Sequence, residues 1–325
     1  MKSCAPKFKG VFKGKSFVSI DQITSRDEVE RIFEVADEMR ELVEKKRPSN
    51  TLNGYCIAQI FYQPSTRTFT SFLAASKWLG ATAIPIHEMS AFSSAIKGES
   101  LEDTVKSLHQ TTAADMIVIR HPNDNSAEIA SEASPVPIVN AGSGKKEHPT
   151  QAVLDLYSIK NELGRTNDLN VVFMGDLKYG RTIKSLGKLL SVVNSSKLSL
   201  VSPEELCMPP TLVDEWRAKG MQIEETDDIQ KVISKADVIY VTRIQKEWFE
   251  AEGKTKEYQK IKSGYEINPS TLKNAKQKMI ILHPLPRVGE ITYEVDEDPR
   301  AAYFRQMRCG LYTRMALMRM ILLGK

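Results

Sequence analysis

Ser65-Thr66-Arg67-Thr68 carries the densest set of groups able to do chemistry in this chain. It lies between a short apolar run, Tyr55 to Tyr62, and a stretch of helical periodicity that starts near Thr66. A helix N-terminus offers free N–H groups and the positive end of the helix dipole, a ready anion site. Hydroxyls and a guanidinium at that place add charge-assisted bonds of the kind a phosphate accepts. Ser65 could also act as a plain helix cap. Capping makes no use of Arg67, and the two roles are compatible.

Arginines recur where other strand-like runs end. Arg120 and His121 close the run 116–120, and His148 and Gln151 follow the run 136–139 in AGSGKKEHPTQ. Lys178 and Arg181 follow 170–174 in GDLKYGRT, Arg243 and Gln245 follow 237–242, and His283 and Arg287 follow 278–282 in HPLPR. In open parallel sheets, ligands sit beyond the carboxyl ends of the strands. A single arginine there is usually a solvated rim residue. Arg67, Arg120, Arg181, Arg243 and Arg287 at the same end predict a concave, strongly positive site for small substrates with several negative charges.

Other phosphate and metal chemistries fit less well. GDLKYGRT has the glycine spacing of a nucleotide P-loop, but Arg181 stands where that loop needs a compact lysine charge. No G-x-G-x-x-G follows a strand, which excludes a dinucleotide fingerprint. None of the five histidines pairs with another at metal-ligand spacing, so no metal is expected. His148 follows a Gly-containing turn able to bring it close to a ligand.

The elements that must position these residues alternate. Apolar periodicity predicts helices over 27–46, 66–79, 100–112, 125–133, 149–163, 181–192, 211–219, 228–234 and 299–323. Strands are predicted at 55–62, 82–86, 116–120, 136–139, 170–174, 197–201, 221–223, 237–242 and 278–282. Thr24 with Asp27, and Ser100 with Asp103, read as helix-start pairs, while Gly80 and Gly164 read as stops. Strand–helix alternation implies right-handed crossovers and mainly parallel sheets. The fold class is therefore α/β, with two doubly wound domains joined by long interdomain helices. The polar segment 249–268 reads as a mobile loop or lid.

Bulk properties bound the rest. The chain has 325 residues, 41% apolar and 26% charged, which suits two globular domains. The net charge of +4 is too even for a nucleic-acid-binding surface. No run of about 18 apolar residues exists, so no membrane helix is expected. Cys4, Cys56, Cys207 and Cys309 are widely spaced, which fits free thiols in a reducing, cytoplasmic compartment. The basic N-terminus MKSCAPKFKGVFKGK lacks the apolar core of a secretory signal and is assigned no function.

Taken in order, the motifs resemble the catalytic chain of the aspartate carbamoyltransferases. The likeness runs from about residue 16 to 322 and rests on STRT (65–68), KGES (97–100), RHP (120–122), NAG with EHPTQ (140–142, 147–151), MGDLKYGRT (174–182), TRIQKE (242–247) and HPLPR (283–287). DPRAAYFRQ (298–306) resembles the form fused into the animal pyrimidine-pathway polypeptide. The resemblance implies transfer of a carbamoyl group from carbamoyl phosphate to L-aspartate, the second step of de novo pyrimidine biosynthesis, with no cofactor. It implies that Ser65, Thr66, Arg67 and Thr68 cradle the phosphate, that Arg120, His148 and Thr68 point at the carbamoyl oxygen, and that Gln151 holds the carbamoyl NH₂. Arg181, Arg243 and Gln245 would bind the aspartate carboxylates, and the Pro284 and Leu285 carbonyls would face the carbamoyl and amino nitrogens. Ser93 and Lys97 would reach into a neighbouring subunit's site, which implies a homotrimer at least, compatible with regulatory chains or a larger assembly. On this reading residues 1–148, joined by the C-terminal helix 299–325, bind carbamoyl phosphate, and residues 149–298 bind aspartate.

Two positions depart from the bacterial pattern. Gln63 stands where Glu is usual and Trp248 where Arg or Lys is usual. The charge pair that links the domains of those relatives is thus absent on both sides, which avoids leaving one charge unpaired. An ornithine-type carbamoyltransferase shares STRT and RHP but would lack the arginines for a second carboxylate, and usually carries Cys-Leu-Pro in place of Pro284-Leu285-Pro286. A non-catalytic homologue would be expected to have lost one of Arg67, Arg120, His148, Arg181 or Arg243.

Overall fold

Two parallel sheets underlie the two runs of alternating elements. The computed structural model describes residues 12–87, 98–194, 197–244 and 264–324. Ser93, Lys97, Gln245, Trp248 and most of the segment 249–268 lie outside the described residues. The chain divides into two compact units, Met1–Leu154 with Met307–Lys325, and Asp155–Gln306.

In the first unit the elements run α1 (Arg26–Glu44), β1 (Cys56–Phe61), α2 (Thr66–Trp78), β2 (Thr82–His87), α3 (Leu101–Thr112), β3 (Met116–His121), α4 (Ser126–Ala133) and β4 (Ile138–Ser143). The strands pair in parallel in the order β2-β1-β3-β4. Ile57 to Phe61 and Met116 to Ile119 are buried without interruption. Continuous burial of this kind needs cover on both faces of a sheet, which the crossover helices supply. The strand order reverses between β1 and β3, so a crevice opens there beyond their carboxyl ends. Upstream, Phe12 is buried and the Gly14 amide donates to the Ile321 carbonyl at 2.8 Å, so the chain packs into this unit from Phe12 onward.

Two expectations in this unit shift. Helix α1 is capped by Ser25 with Glu28, not by Thr24 with Asp27; Ser25 Oγ accepts from the Glu28 amide. The longer glutamate arm explains the change, because Glu28 Oε2 accepts from both the Thr24 and Ser25 amides. Strand β4 spans Ile138–Ser143, so Asn140 to Ser143 extend the sheet where a loop was expected. Their polar groups satisfy one another: Asn140 Nδ2 donates to Ser143 Oγ at 3.0 Å, and Asn140 Oδ1 accepts from the Gly142 amide at 2.8 Å. That pairing lets polar residues occupy a buried strand.

The second unit holds β5 (Asn170–Met174), α6 (Arg181–Val192), β6 (Lys197–Val201), α7 (Pro210–Ala218), β7 (Gln222–Thr226), β8 (Val238–Val241) and β9 (Ile280–Leu282). Helices α5 (Pro149–Leu163) and α8 (Tyr303–Leu323) run across the unit boundaries. The sheet is again parallel, in the order β7-β6-β5-β8-β9, and reverses between β5 and β8.

Three elements differ here from the sequence reading. The expected helix 228–234 is a single 3-10 turn, Ile229–Lys231. The Asp237 carboxylate accepts from the Asn170 amide at 2.9 Å and fixes the start of β8, leaving little chain for a longer helix. Helix α8 starts at Tyr303 and not at 299, because the chain just before it is bound to β9. Ile281 N donates to Arg300 O at 2.8 Å and Ala302 N to Ile281 O at 3.0 Å, which holds it extended. Within the segment expected to be mobile, Tyr265 and Ile267 are buried, and Ile267 bridges to Ile291.

Helices α6 and α7 meet through a glycine. Gly187 faces the fully buried Trp216 ring, and a Cβ at 187 would overlap it. Gly187→Ala is expected to destabilise the fold by about 1–3 kcal/mol through overpacking. A lowered thermal midpoint would register it; wild-type melting would contradict the packing described.

Among the described residues no helix is long and apolar enough to cross a membrane. Cys56, Cys207 and Cys309 are free thiols.

Candidate functional site

The residues singled out in the first unit stand at the carboxyl ends of its strands. Ser65 to Thr68 follow β1 and open α2, and Arg120 lies near the end of β3 in register with Phe61. These two strands flank the point where the strand order reverses. Ser65 precedes the helix with extended backbone, yet its hydroxyl makes no capping bond. The plain capping role is therefore not the one observed. Thr68 is buried, Ser65 half-buried, and Thr66 and Arg67 exposed. Although Arg67 is open to solvent at its surface, partial burial lowers its guanidinium pKa from the ordinary arginine value. An anion beside it would offset that cost.

Arg120 is held from two sides. Its carbonyl accepts from the Tyr62 amide at 2.9 Å, and its Nη1 donates to the Ala141 carbonyl at 3.2 Å. His148 and Gln151 follow β4, where the chain passes into α5; both are buried, and the Gln151 amide donates to the His148 carbonyl at 2.9 Å.

Glu147 opens the EHPTQ motif, but the sequence assigns it no role of its own. It is buried next to His148, and its carboxylate accepts from Ser19 Oγ and from the Ile20 amide, both at 2.9 Å. This ties the approach to His148 to a segment more than a hundred residues away. The only local signal was an acidic residue at the end of a Gly-Lys turn, which usually means solvent exposure.

In the second unit, Arg181 opens α6 after β5, Arg243 follows β8, and Pro284 and Leu285 follow β9. Both arginines and both loop residues are half-buried. The strand ends are stitched by Thr242, whose hydroxyl lies 3.2 Å from the carbonyls of Met174 and of Asp176. Asp176 is buried and accepts from the Tyr179 amide at 2.9 Å, which shapes the loop leading to Arg181. Thr242 and Asp176 lie within TRIQKE and MGDLKYGRT, yet their structural use has no sequence signal of its own.

Arg287 stands apart from the other strand-end arginines. It forms a two-pronged ion pair with Asp296, 2.5 Å on each arm, and donates to Tyr303 Oη at 2.9 Å. The Asp296 bonds hold its guanidinium above the usual arginine range. Its charge serves the fold of the loop, which corrects its inclusion in the expected anion site.

Comparison with known proteins matches the chain in two consecutive parts. The family model described as "Aspartate/ornithine carbamoyltransferase, carbamoyl-P binding domain" matches residues 15–161, and the "Asp/Orn binding domain" of the same family matches residues 167–321. The chain is 44% identical over 307 residues to an aspartate carbamoyltransferase catalytic subunit of Thermococcus onnurineus, covering 94% of this chain and 96% of that one. It is 46% identical over 314 residues to the multifunctional protein pyr-3 of Neurospora crassa; that covers 96% of this chain but spans only 17% of the fungal protein's length. A crystal structure of aspartate transcarbamoylase from Trypanosoma cruzi with carbamoyl phosphate superposes with a TM-score of 0.90 at 38% identity, covering 97% of this chain and 98% of the other. With both halves matched and sequence identity this high across nearly the full length of a relative, the chain belongs to the aspartate/ornithine carbamoyltransferase family.

Proposed function

We propose that this chain is an aspartate carbamoyltransferase, converting carbamoyl phosphate and L-aspartate to N-carbamoyl-L-aspartate and phosphate in pyrimidine biosynthesis. One observation carries the reading. In each unit the strand order reverses between two adjacent strands, and the charged motif residues sit at those strand ends. Arg67 and Arg120 flank β1 and β3, while Arg181 and Arg243 flank β5 and β8.

The roles divide by unit. Ser65, Thr66, Arg67 and Thr68 bind the phosphate, and Gln151 holds the carbamoyl NH₂. The aspartate amine attacks the carbamoyl carbon, and negative charge collects on the carbamoyl oxygen. Arg120, His148 and Thr68 donate to that oxygen. The bond from the carbamoyl carbon to the phosphate oxygen then breaks, and the departing phosphate can accept the amine's proton. Arg181, Arg243 and Gln245 bind the two carboxylates, as forked guanidinium pairing suits. The Pro284 and Leu285 carbonyls accept from the substrate nitrogens. Catalysis on this scheme comes from positioning and fixed donors, with no covalent nucleophile and no cofactor.

The same reading makes the active form a cytoplasmic homotrimer, with Ser93 and Lys97 serving a neighbouring subunit's site. It assigns the first unit to carbamoyl phosphate and the second to aspartate. A colorimetric assay for carbamoyl aspartate, run beside one with ornithine as acceptor, tests the activity. Product with aspartate alone is expected. Product with ornithine, or with neither acceptor, would overturn it.

A further inference from the structure

The loop after β9 contains a buried hydrogen-bond network that the scheme above does not use. Leu285 adopts a left-handed backbone conformation, φ +53°, which costs a residue with a side chain roughly 1–2 kcal/mol. Something must hold it there, and the nearest restraint is His283. The Leu285 amide donates to His283 Nδ1 at 2.7 Å. A nitrogen that accepts from an N–H carries no proton, so in the neutral ring the proton sits on Nε2. Nε2 in turn lies 2.8 Å from Glu290 Oε1, and Glu290 Oε2 accepts from the Val288 amide at 2.8 Å. One carboxylate thus grips both the ring and the far side of the loop. Burial works against its charge, but the bonds from His283 and the Val288 amide bring the Glu290 pKa below its usual value.

The network continues to both ends of the unit. The His283 amide donates to Gln306 Oε1 at 3.0 Å, and Gln306 Nε2 donates to Asp155 Oδ1 at 2.6 Å. Tyr240 Oη, on the strand beside β9, donates to Asp155 Oδ2 at 2.8 Å. Asp155 and Gln306 are the first and last residues of the second unit. All five side chains are buried.

We propose that His283, fixed in its Nε2–H tautomer by Glu290, is a positioning residue that sets the backbone of Pro284 and Leu285 and so aims their carbonyls at the substrate nitrogens. This rests on the role given above to those two carbonyls. A shared imidazole–carboxylate pair in a core could instead serve only stability. The two roles differ in what they predict for turnover, because the aspartate nitrogen gains positive charge as it attacks, and a correctly aimed carbonyl matters most at that moment.

The test is a set of substitutions read by kinetics and by nitrogen NMR. His283→Leu removes the acceptor for Leu285 and is expected to lower kcat about 10²-fold, the scale of a misplaced catalytic group. KM for both substrates should stay within about threefold of wild type, the pattern of an interaction made mainly in the transition state. His283→Asn should recover most of the loss, because an Asn oxygen can accept from the amide two residues on. Glu290→Gln should fall between them, since its single amide oxygen faces two donors, the ring and the Val288 amide. Equal kcat in all variants with only a lowered thermal midpoint would overturn the proposal. A failed rescue by His283→Asn in a folded protein would do the same. Nitrogen shifts of His283 in the wild-type protein should show a bare Nδ1 and a protonated Nε2 at neutral pH; a protonated Nδ1 would also overturn it. Absence of carbamoyl aspartate from the wild-type enzyme would instead count against the proposed function, and the NMR reading would still decide the tautomer.

Discussion

Arg120→Ala is expected to lower kcat about 10²–10³-fold, the usual loss when one donor to a developing oxyanion is removed. The size follows from how the side chain is held. Its backbone is in the parallel ladder with β1, its carbonyl is bonded to the Tyr62 amide, and its guanidinium already rests on the Ala141 carbonyl. In the proposed role, a donor fixed in this way would need little rearrangement when charge appears on the carbamoyl oxygen, and that pre-set geometry would be the source of its effect. Arg120→Lys should recover little. A lysine offers a compact charge without the planar fork that can bond Ala141 and a substrate oxygen together. Because Arg120 is only half-buried, both variants should keep the fold, which circular dichroism and melting can verify. A drop of less than about tenfold would remove Arg120 from the oxyanion role, since a single donor there is worth more.

The second large effect belongs to the fold beneath the site. Gly175 follows β5 with φ +113°, and a Cβ there would overlap the Thr242 carbonyl. The Gly175 amide is meanwhile bonded to the Val201 carbonyl at 3.0 Å, so the backbone is not free to rotate away. Gly175→Ala therefore combines a forbidden conformation with a clash against backbone, and should cost about 3 kcal/mol or more. For a unit of this size that corresponds to a fall in melting temperature of roughly 6–12 °C. The residues carried by the two strand ends, Arg181 and Arg243, would shift with the clash, so KM for aspartate should rise in whatever protein folds. An alanine variant with wild-type melting and wild-type KM would show that the strand ends are not locked together as described.

The two substitutions depend on information of different kinds. Arg120 could be picked out in the sequence because it follows an unbroken apolar run, and an open parallel sheet places its ligands at such ends. Gly175 could be read only as the first glycine of a P-loop-like spacing, since the carbonyl it must avoid belongs to Thr242, far along the chain. The same division explains the errors. Thr24 with Asp27 fitted the helix-start pattern, but Glu28 reaches both the Thr24 and Ser25 amides and so places the cap at Ser25. Asn140 to Ser143 looked like loop because polar and glycine residues rarely form a buried strand, and it is their hydrogen bonds to one another and to Phe17 and Val18 that make one possible. Arg287 resembled the other strand-end arginines until Asp296 and Tyr303 were seen to hold it.

The sequence by itself determined the succession of the strands and of the helices other than 228–234, the parallel character of both sheets, and the placing of Ser65 to Thr68, Arg120, Arg181 and Arg243 at strand ends. Those properties depend on periodicity and on residues close together in the chain. Tertiary structure alone decided which polar groups are held and by what: Glu147 on Ser19 and Ile20, Thr242 between two strand ends, and His283 between Leu285 and Glu290 within a network closed by Gln306 and Asp155. Such bonds join residues with no fixed spacing, and their strength comes from burial, which exists only once the chain has folded.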